Sequence, residues 1–213
     1  MKVALLSESA ADEAALRILV DGILGSPTER VPLQRFEHRR GWPNLLEVAP
    51  VVFKYLHYQT DADALVVVAD SNGTPLHRPG SPSDEQCRFC KLHAALSPER
   101  LRVAAVRGRA PLRTAIGLAC PAIEAWYQCG FNPHATEVAW ARDLADGIQP
   151  TQRTRELKLA VYGTDRPSLA METAAAAQAA RRLIQDLSEI QRRFPTGFGV
   201  FADDVRAWRE GLQ

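Results

Sequence analysis

Nowhere in this chain do apolar residues run on for the ~20 positions that a membrane-spanning helix needs. The first apolar run, Val3 to Leu6, is closed by Ser7 and Glu8, well short of the ~7–15 residues of a signal-peptide core. A cytoplasmic address and no membrane partner are therefore expected. Charge of one sign is missing too: the formal net charge is +1, so no overall positive field announces a nucleic-acid ligand. Basic residues do gather locally, at Arg35, His38, Arg39 and Arg40 and again at Arg100, Arg102, Arg107, Arg109 and Arg113, either as solvated faces or as phosphate contacts.

Several catalytic signatures are absent. Without Gly-x-x-x-x-Gly-Lys there is no phosphate loop for nucleotide hydrolysis, and without Gly-x-Ser-x-Gly there is no nucleophile elbow of a serine hydrolase. No Gly-x-Gly-x-x-Gly follows the first strand, which argues against a dinucleotide oxidoreductase. Repeats and flexible linkers are also lacking. At 213 residues and 46% hydrophobic, the chain is long and apolar enough to bury a full core.

What is present alternates between strand and helix patterns. Val3 to Leu6 reads as a strand. Ser9-Ala10-Ala11-Asp12 then reads as a serine-capped helix start with an acidic first turn, and Gly25 with Pro27 stops that helix. Arg30 to Phe36 reads as a more exposed strand with Val31 and Leu33 on one face. A helical segment covers Leu45 to Tyr58, broken or started at Pro50.

The stretch ALVVVADSNG, Ala64 to Gly73, is apolar through Ala69, as a strand buried on both faces of a parallel sheet must be. Asp84 to Leu96 (helix), Leu101 to Val106 (apolar run) and Thr114 to Ala119 (strand) continue the alternation, and Pro121 opens another helix. From Ala135 onward the pattern is helical: Ala135 to Asp146, Thr151 to Tyr162, a long Ser168 to Phe194, and Phe201 to Trp208. The expected fold is α/β, a mainly parallel sheet flanked by helices, with residues 1–134 as core and 135–213 as a helical C-terminal extension packed on it.

Ligands of open parallel sheets bind beyond the carboxyl ends of the strands. Three carboxylates fall there: Glu8 after the first strand, Asp70 after the third, and Glu124 after Ala119. Gathered carboxylates repel one another unless a cation or a shared proton compensates. Mg²⁺ or Mn²⁺, held by a few carboxylates and a substrate phosphate, would supply the compensation. Each acid also suits a plain helix cap.

LLSESAADEAALRIL, then VVVADSNG, then CPAIEAWYQCG resemble the TOPRIM-like families related to the overcoming-lysogenization-defect nucleases, in particular a small bacterial family commonly encoded beside an ATPase. LKLAVYGTDRP and FPTGFGVFADDVRAW resemble the helical end of the same family, so the likeness covers most of the chain. It implies a phage-defence type, metal-dependent nuclease or nuclease subunit acting on DNA or RNA, with an ATPase partner. On that resemblance Glu8 serves acid/base chemistry or metal binding, Asp70 is the first metal carboxylate, and Glu124 holds a second metal or the structure.

Two positions depart from the pattern. Asn72 stands where the family has the second aspartate of Asp-x-Asp, keeping an oxygen ligand but losing a charge, and Ser9 stands where glycine is common. Asp12 and Glu13 either restore charge or serve the helix dipole. A degenerate subunit that binds an ATPase or nucleic acid is the alternative, with Trp140, Phe194, Phe198, Phe201 and Trp208 as either interface anchors or core.

Cys87-x-x-Cys90 with His93 has the spacing of half a zinc site, with Cys129 and His134 left to supply the other half. On the expected helix, however, Cys87, Cys90 and Ala94 share a face that suits core packing, so the four cysteines are read as structural. His77 and Arg78 fall in a loop after Asp70, as surface residues or as phosphate contacts.

Overall fold

The computed structural model describes residues 1–33, 36, 41–78, 84–106 and 108–210. Four strands, β1 (Lys2–Ser7), β2 (Glu29–Arg30), β3 (Ala64–Asp70) and β4 (Arg113–Ala119), pair in the order β2-β1-β3-β4, all parallel. Side chains alternate across a strand, and here both faces are buried. Val3, Leu5, Ala64, Val66, Val68 and Ala115 enter one core. Their neighbours Ala4, Leu6, Leu65, Val67, Ala69 and Ile116 enter the other. That two-sided burial explains why ALVVVA carries no polar residue.

Helices cover the two faces. On one side lie α1 (Ala10–Leu24), α4 (Ile123–Tyr127), α7 (Leu169–Leu183) and α9 (Val200–Glu210), and on the other α2 (Trp42–Gln59) and α3 (Arg88–Arg102). Of the remaining helices, α5 (Glu137–Ala145) adds Trp140 to the second core, while α6 (Pro150–Tyr162) and α8 (Leu187–Arg193) add Leu157 and Ile190 to the first. The C-terminal helices share one continuous core with α1 and the sheet, through Ala176, Ala180, Phe198, Phe201 and Val205. They thus form half of a layer. No described helix is long and apolar enough to cross a membrane.

Local signals place the boundaries. Ser9 caps α1, its Oγ accepting from Ala11 N at 3.2 Å, and Gly25 ends it in the left-handed conformation at φ 64°. Pro50 neither starts nor breaks α2, which begins at Trp42 behind Gly41 and runs through it. The expected strand over Arg30 to Phe36 is only Glu29–Arg30 long, and Val31 and Leu33 are buried beyond it. Within that span Gln34 and Arg35 lie outside the described residues, as do His38, Arg39, Arg40 and Arg107 of the basic clusters.

Leu101 is helical, the end of α3, and no strand forms from it to Val106. The long helix expected from Ser168 to Phe194 is two, because Asp186 caps a new start by accepting from Glu189 N at 3.1 Å. Arg109 is structural: its guanidinium donates to the carbonyls of His57 at 2.8 Å and Leu56 at 3.2 Å, and to those of Thr60 and Ala62, tying off the end of α2. Trp140, Phe194, Phe198, Phe201 and Trp208 are all buried, so they pack the core and present no anchors to a partner.

A π turn, Pro195–Gly199, leads into α9 and lies against β4. Buried Glu137 holds it, its carboxylate accepting from Thr196 N at 3.0 Å, Thr196 Oγ1 at 2.8 Å and Gly197 N at 2.7 Å. At Gly197 the approach is so close that an added Cβ would stand 2.0 Å from the carbonyl oxygen of Leu118. Gly197→Ala should therefore cost about 3 kcal/mol or more of unfolding free energy, since the backbone of β4 must move. Glu137→Ala should cost about 2–4 kcal/mol through the orphaned amides. Urea unfolding of both variants beside wild type checks this, and a near-neutral result for either means that the turn is not locked in this way.

Candidate functional site

In the order β2-β1-β3-β4 the chain leaves β1 towards β2 on one side and β3 towards β4 on the other. Strand order therefore reverses between β1 and β3, and the crevice beyond their carboxyl ends is the place where such sheets bind ligands. Glu8 follows β1 directly and Asp70 is the last residue of β3, so both stand at that crevice. They are bonded through the main chain: Asp70 N donates to Glu8 Oε1 at 3.0 Å.

Arg88, the first residue of α3, closes the pair. Its Nη1 lies 3.2 Å from Glu8 Oε1 and 2.7 Å from the carbonyl oxygen of Asp70, and its guanidinium lies over the Trp42 ring at 4.6 Å from the centroid. With both charges of the ion pair largely out of solvent, at 12% and 16% side-chain exposure, the geometry matters more than it would at a surface. Asp70 turns its Oδ1 to Ile123 N at 2.9 Å and so caps α4 from a neighbouring strand.

Asp12 and Glu124 complete the cluster, both buried. The two acids that follow Ser9 therefore divide: Asp12 faces the site, while Glu13 turns away to pair with Arg30 at 3.2 Å. Glu172 of α7 adds a further charge, with Lys158 of α6 at 3.8 Å from it and 4.0 Å from Glu124. Tyr162 stands beside Glu124. The Tyr127 hydroxyl, buried beside Asp12 and Glu124, has no hydrogen-bond partner among the described residues.

The electrostatics follow from crowding. Burial first, then the charges of Glu124, Asp12 and Glu8, push the Asp70 carboxyl well above the usual carboxylate range against the single amide of Ile123. Burial, then Glu124, Glu172 and Glu8, do the same to Asp12. Glu8 is raised by burial, with Asp70 N, Arg88 and Trp42 N pulling the other way. Glu124 is raised by burial against Lys158 and Tyr162. Four carboxyls from three parts of the chain thus share a preference for a proton or a cation.

The structure brings Glu8, Asp70 and Glu124 into this one neighbourhood. Asn72, at φ 44° in the turn after β3, takes the left-handed conformation that asparagine tolerates. Among the described residues, the carboxylates do not converge to metal-ligand spacing. The one group of three or more His, Cys, Asp or Glu side chains that does is His77, Cys87 and Cys90.

Arg88, Lys158, Glu172, Tyr127 and Tyr162 escaped sequence reasoning, since nothing in their local pattern places them at the ends of distant strands. The Arg between two cysteines was the one available signal, and it reads as a spacer. Comparison of the chain with family models, with curated proteins and with solved structures returns no match.

A carboxyl whose folded pKa lies above its unfolded value of roughly 4 costs stability once pH rises through the folded value, and costs nothing below the unfolded one. Asp70→Asn keeps the oxygen that caps α4 and removes the charge. In metal-free buffer it should be more stable than wild type by on the order of 1 kcal/mol at neutral pH, with the gain shrinking as pH falls. Urea midpoints at about pH 5 and about pH 7.5 test this. A variant less stable than wild type at both would show that no buried charge is being relieved.

Proposed function

We propose that this chain is a divalent-cation-dependent nuclease, or the nuclease subunit of a larger assembly, cutting phosphodiester bonds at the β1–β3 crevice. The observation that carries the reading is the cluster of Glu8, Asp12, Asp70 and Glu124, four carboxyls crowded where the strand order reverses and each raised in proton affinity by burial. The donor set is of hard oxygens, the kind Mg²⁺ and Mn²⁺ prefer. The buried, unpartnered Tyr127 hydroxyl beside it adds another polar oxygen. To hold the cation, Asp70, Glu124 and Asp12 would have to draw together from their present spacing.

When bound, a Mg²⁺ or Mn²⁺ ion supplies Lewis-acid stabilisation of phosphate oxygens and lowers the pKa of a water. The protein's own groups do the rest. Glu8 reaches solvent in part and has a raised carboxyl pKa, which suits it to taking a proton from an attacking water or giving one to a leaving oxygen. Arg88, anchored by the Asp70 carbonyl, orients that carboxyl and offers a phosphate a planar cation beside it. The resemblance to TOPRIM-like proteins points the same way and is the whole basis for a phage-defence role, an ATPase partner and a DNA or RNA substrate.

A second reading has its own observation. Glu8 is already neutralised by Arg88, Asp70 already caps α4, and the carboxylates stand apart from metal-ligand spacing. A degenerate subunit that keeps the fold to bind an ATPase or nucleic acid accounts for those three facts without any cation.

Calorimetric titration with Mn²⁺ separates the two. The nuclease reading expects binding that Asp70→Asn and Glu8→Gln each weaken by about tenfold or more, roughly 1.4 kcal/mol. Cleavage of labelled DNA or RNA oligonucleotides should be lost in the same variants. If wild type takes up no Mn²⁺ even with an oligonucleotide present, the cation-dependent reading is wrong and the binding-subunit reading stands.

A further inference from the structure

A cavity of about 780 Å³ lies between the loop that follows β3, the start of α3, and α5 with the π turn. Its lining includes Leu76, Val138 and Leu144 on the apolar side, with Asp84, Glu137 and Thr196 as polar groups. His77, Cys87 and Cys90 line the same cavity, and one donor atom from each lies within 4.8 Å of the other two. None of the three belongs to the carboxylate cluster, so a site built from them does not rest on the function proposed for that crevice.

The spacing is what a soft-ligand metal site requires. A tetrahedral ion with metal–sulfur bonds of ~2.3 Å and metal–nitrogen bonds of ~2.0 Å sets its sulfur and nitrogen ligands ~3.5 Å apart and its two sulfurs ~3.8 Å apart. The Sγ of Cys90 lies 3.6 Å from Nδ1 of His77.

Local structure fixes each ligand. Cys87 is the N-cap of α3 and Cys90 lies one turn on, so the helix start presents both sulfurs to one side. His77 arrives from the loop after β3, and its ring stacks on Phe89 at 4.2 Å between centroids, which sets the orientation of the imidazole. The Cys87 side is buried and the His77 and Cys90 side is half-buried. That gradient suits an ion held from the core and reached from the cavity.

We infer that His77, Cys87 and Cys90 form a binding site for a zinc ion, with three protein ligands and a fourth position open to a water or small anion from the cavity. The partners differ from those the sequence spacing suggests. His93 turns instead to Ser97, at 3.2 Å from its Oγ. Cys129 belongs to the core on the opposite face of the sheet from Cys87, so it supplies no second half. The ion ties the loop that leaves Asp70 to the residue immediately before Arg88. Occupation of the site therefore anchors the guanidinium that clamps Glu8 to the end of β3.

Cobalt titration of the reduced full-length protein tests the inference, because tetrahedral Co²⁺ bound by thiolates shows sulfur-to-metal charge transfer, which oxygen ligands do not give, and d–d bands far stronger than those of octahedral Co²⁺ with oxygen ligands. One equivalent of Co²⁺ should produce both sets of bands, and Zn²⁺ should displace it. Cys90→Ser and His77→Ala should each weaken binding by about 100-fold or more, beyond the range seen for outer-shell changes. His93→Ala, Cys129→Ser and the crevice variant Asp70→Asn should leave the bands unchanged, which separates this site from the carboxylate cluster. The inference is overturned if folded, reduced wild type gives no charge-transfer band, or if the band survives in folded Cys90→Ser and His77→Ala. It is also overturned if Cys87 and Cys90 are found as a disulfide and bind no Co²⁺ after reduction. Should a variant fail to fold, the wild-type titration alone decides.

Discussion

The carboxylate crowding at the ends of β1 and β3 is the constraint around which the rest of this molecule is arranged. A parallel sheet covered on both faces has almost nowhere to put a charge except its ends, because each face is filled by side chains such as Val66, Val67, Leu5 and Leu6. Charges placed at the carboxyl edge still suffer partial burial, since helices α4, α6 and α7 close over it and bring Glu124, Lys158 and Glu172. The result is a set of acids whose ionisation is opposed by desolvation and by one another. Such a set costs stability unless a proton, a cation or a basic side chain compensates.

Arg88 is the counterweight. It lies at the junction of three elements, bonding Glu8 after β1 and the Asp70 carbonyl at the end of β3 while itself starting α3. Its position depends on where α3 begins, and the N-cap of α3 is Cys87. The crevice and the Cys-x-x-Cys cavity are therefore mechanically joined: whatever restrains Cys87 and Cys90 restrains the guanidinium between the two carboxylate-bearing strands. The same economy of placement appears at the far end of the cavity, where Glu137 holds the π turn that Gly197 lets approach the backbone of β4.

The C-terminal helices contribute to the site as well as to the core. α7 packs through Ala176, Ala179 and Ala180 on the face shared with α1, and the small side chains allow a close approach. That approach is what carries Glu172 to the neighbourhood of Asp12 and Lys158. The Ala-rich stretch is thus close helix packing, with an electrostatic consequence one turn away from it.

The α/β class is legible in the sequence, because unbroken apolar runs such as Ala64 to Ala69 and the 3.6-residue pattern after Ser9 are local signals that burial on two faces or one face must produce. So is the place of Glu8 and Asp70 at strand ends, since a strand's last apolar residue marks its edge. Which residues meet there is settled only by the tertiary fold. Arg88, Lys158 and Glu172 come from 80 or more positions beyond Glu8, and no periodicity encodes a contact across that distance. The same holds for the cysteines: the sequence offered His93 on the same helix as their companion and favoured core packing, whereas the fold places His77 from the preceding loop beside Cys87 and Cys90. Contacts between side chains of different elements are set by how strands order and helices pack, and that order is a property of the whole chain.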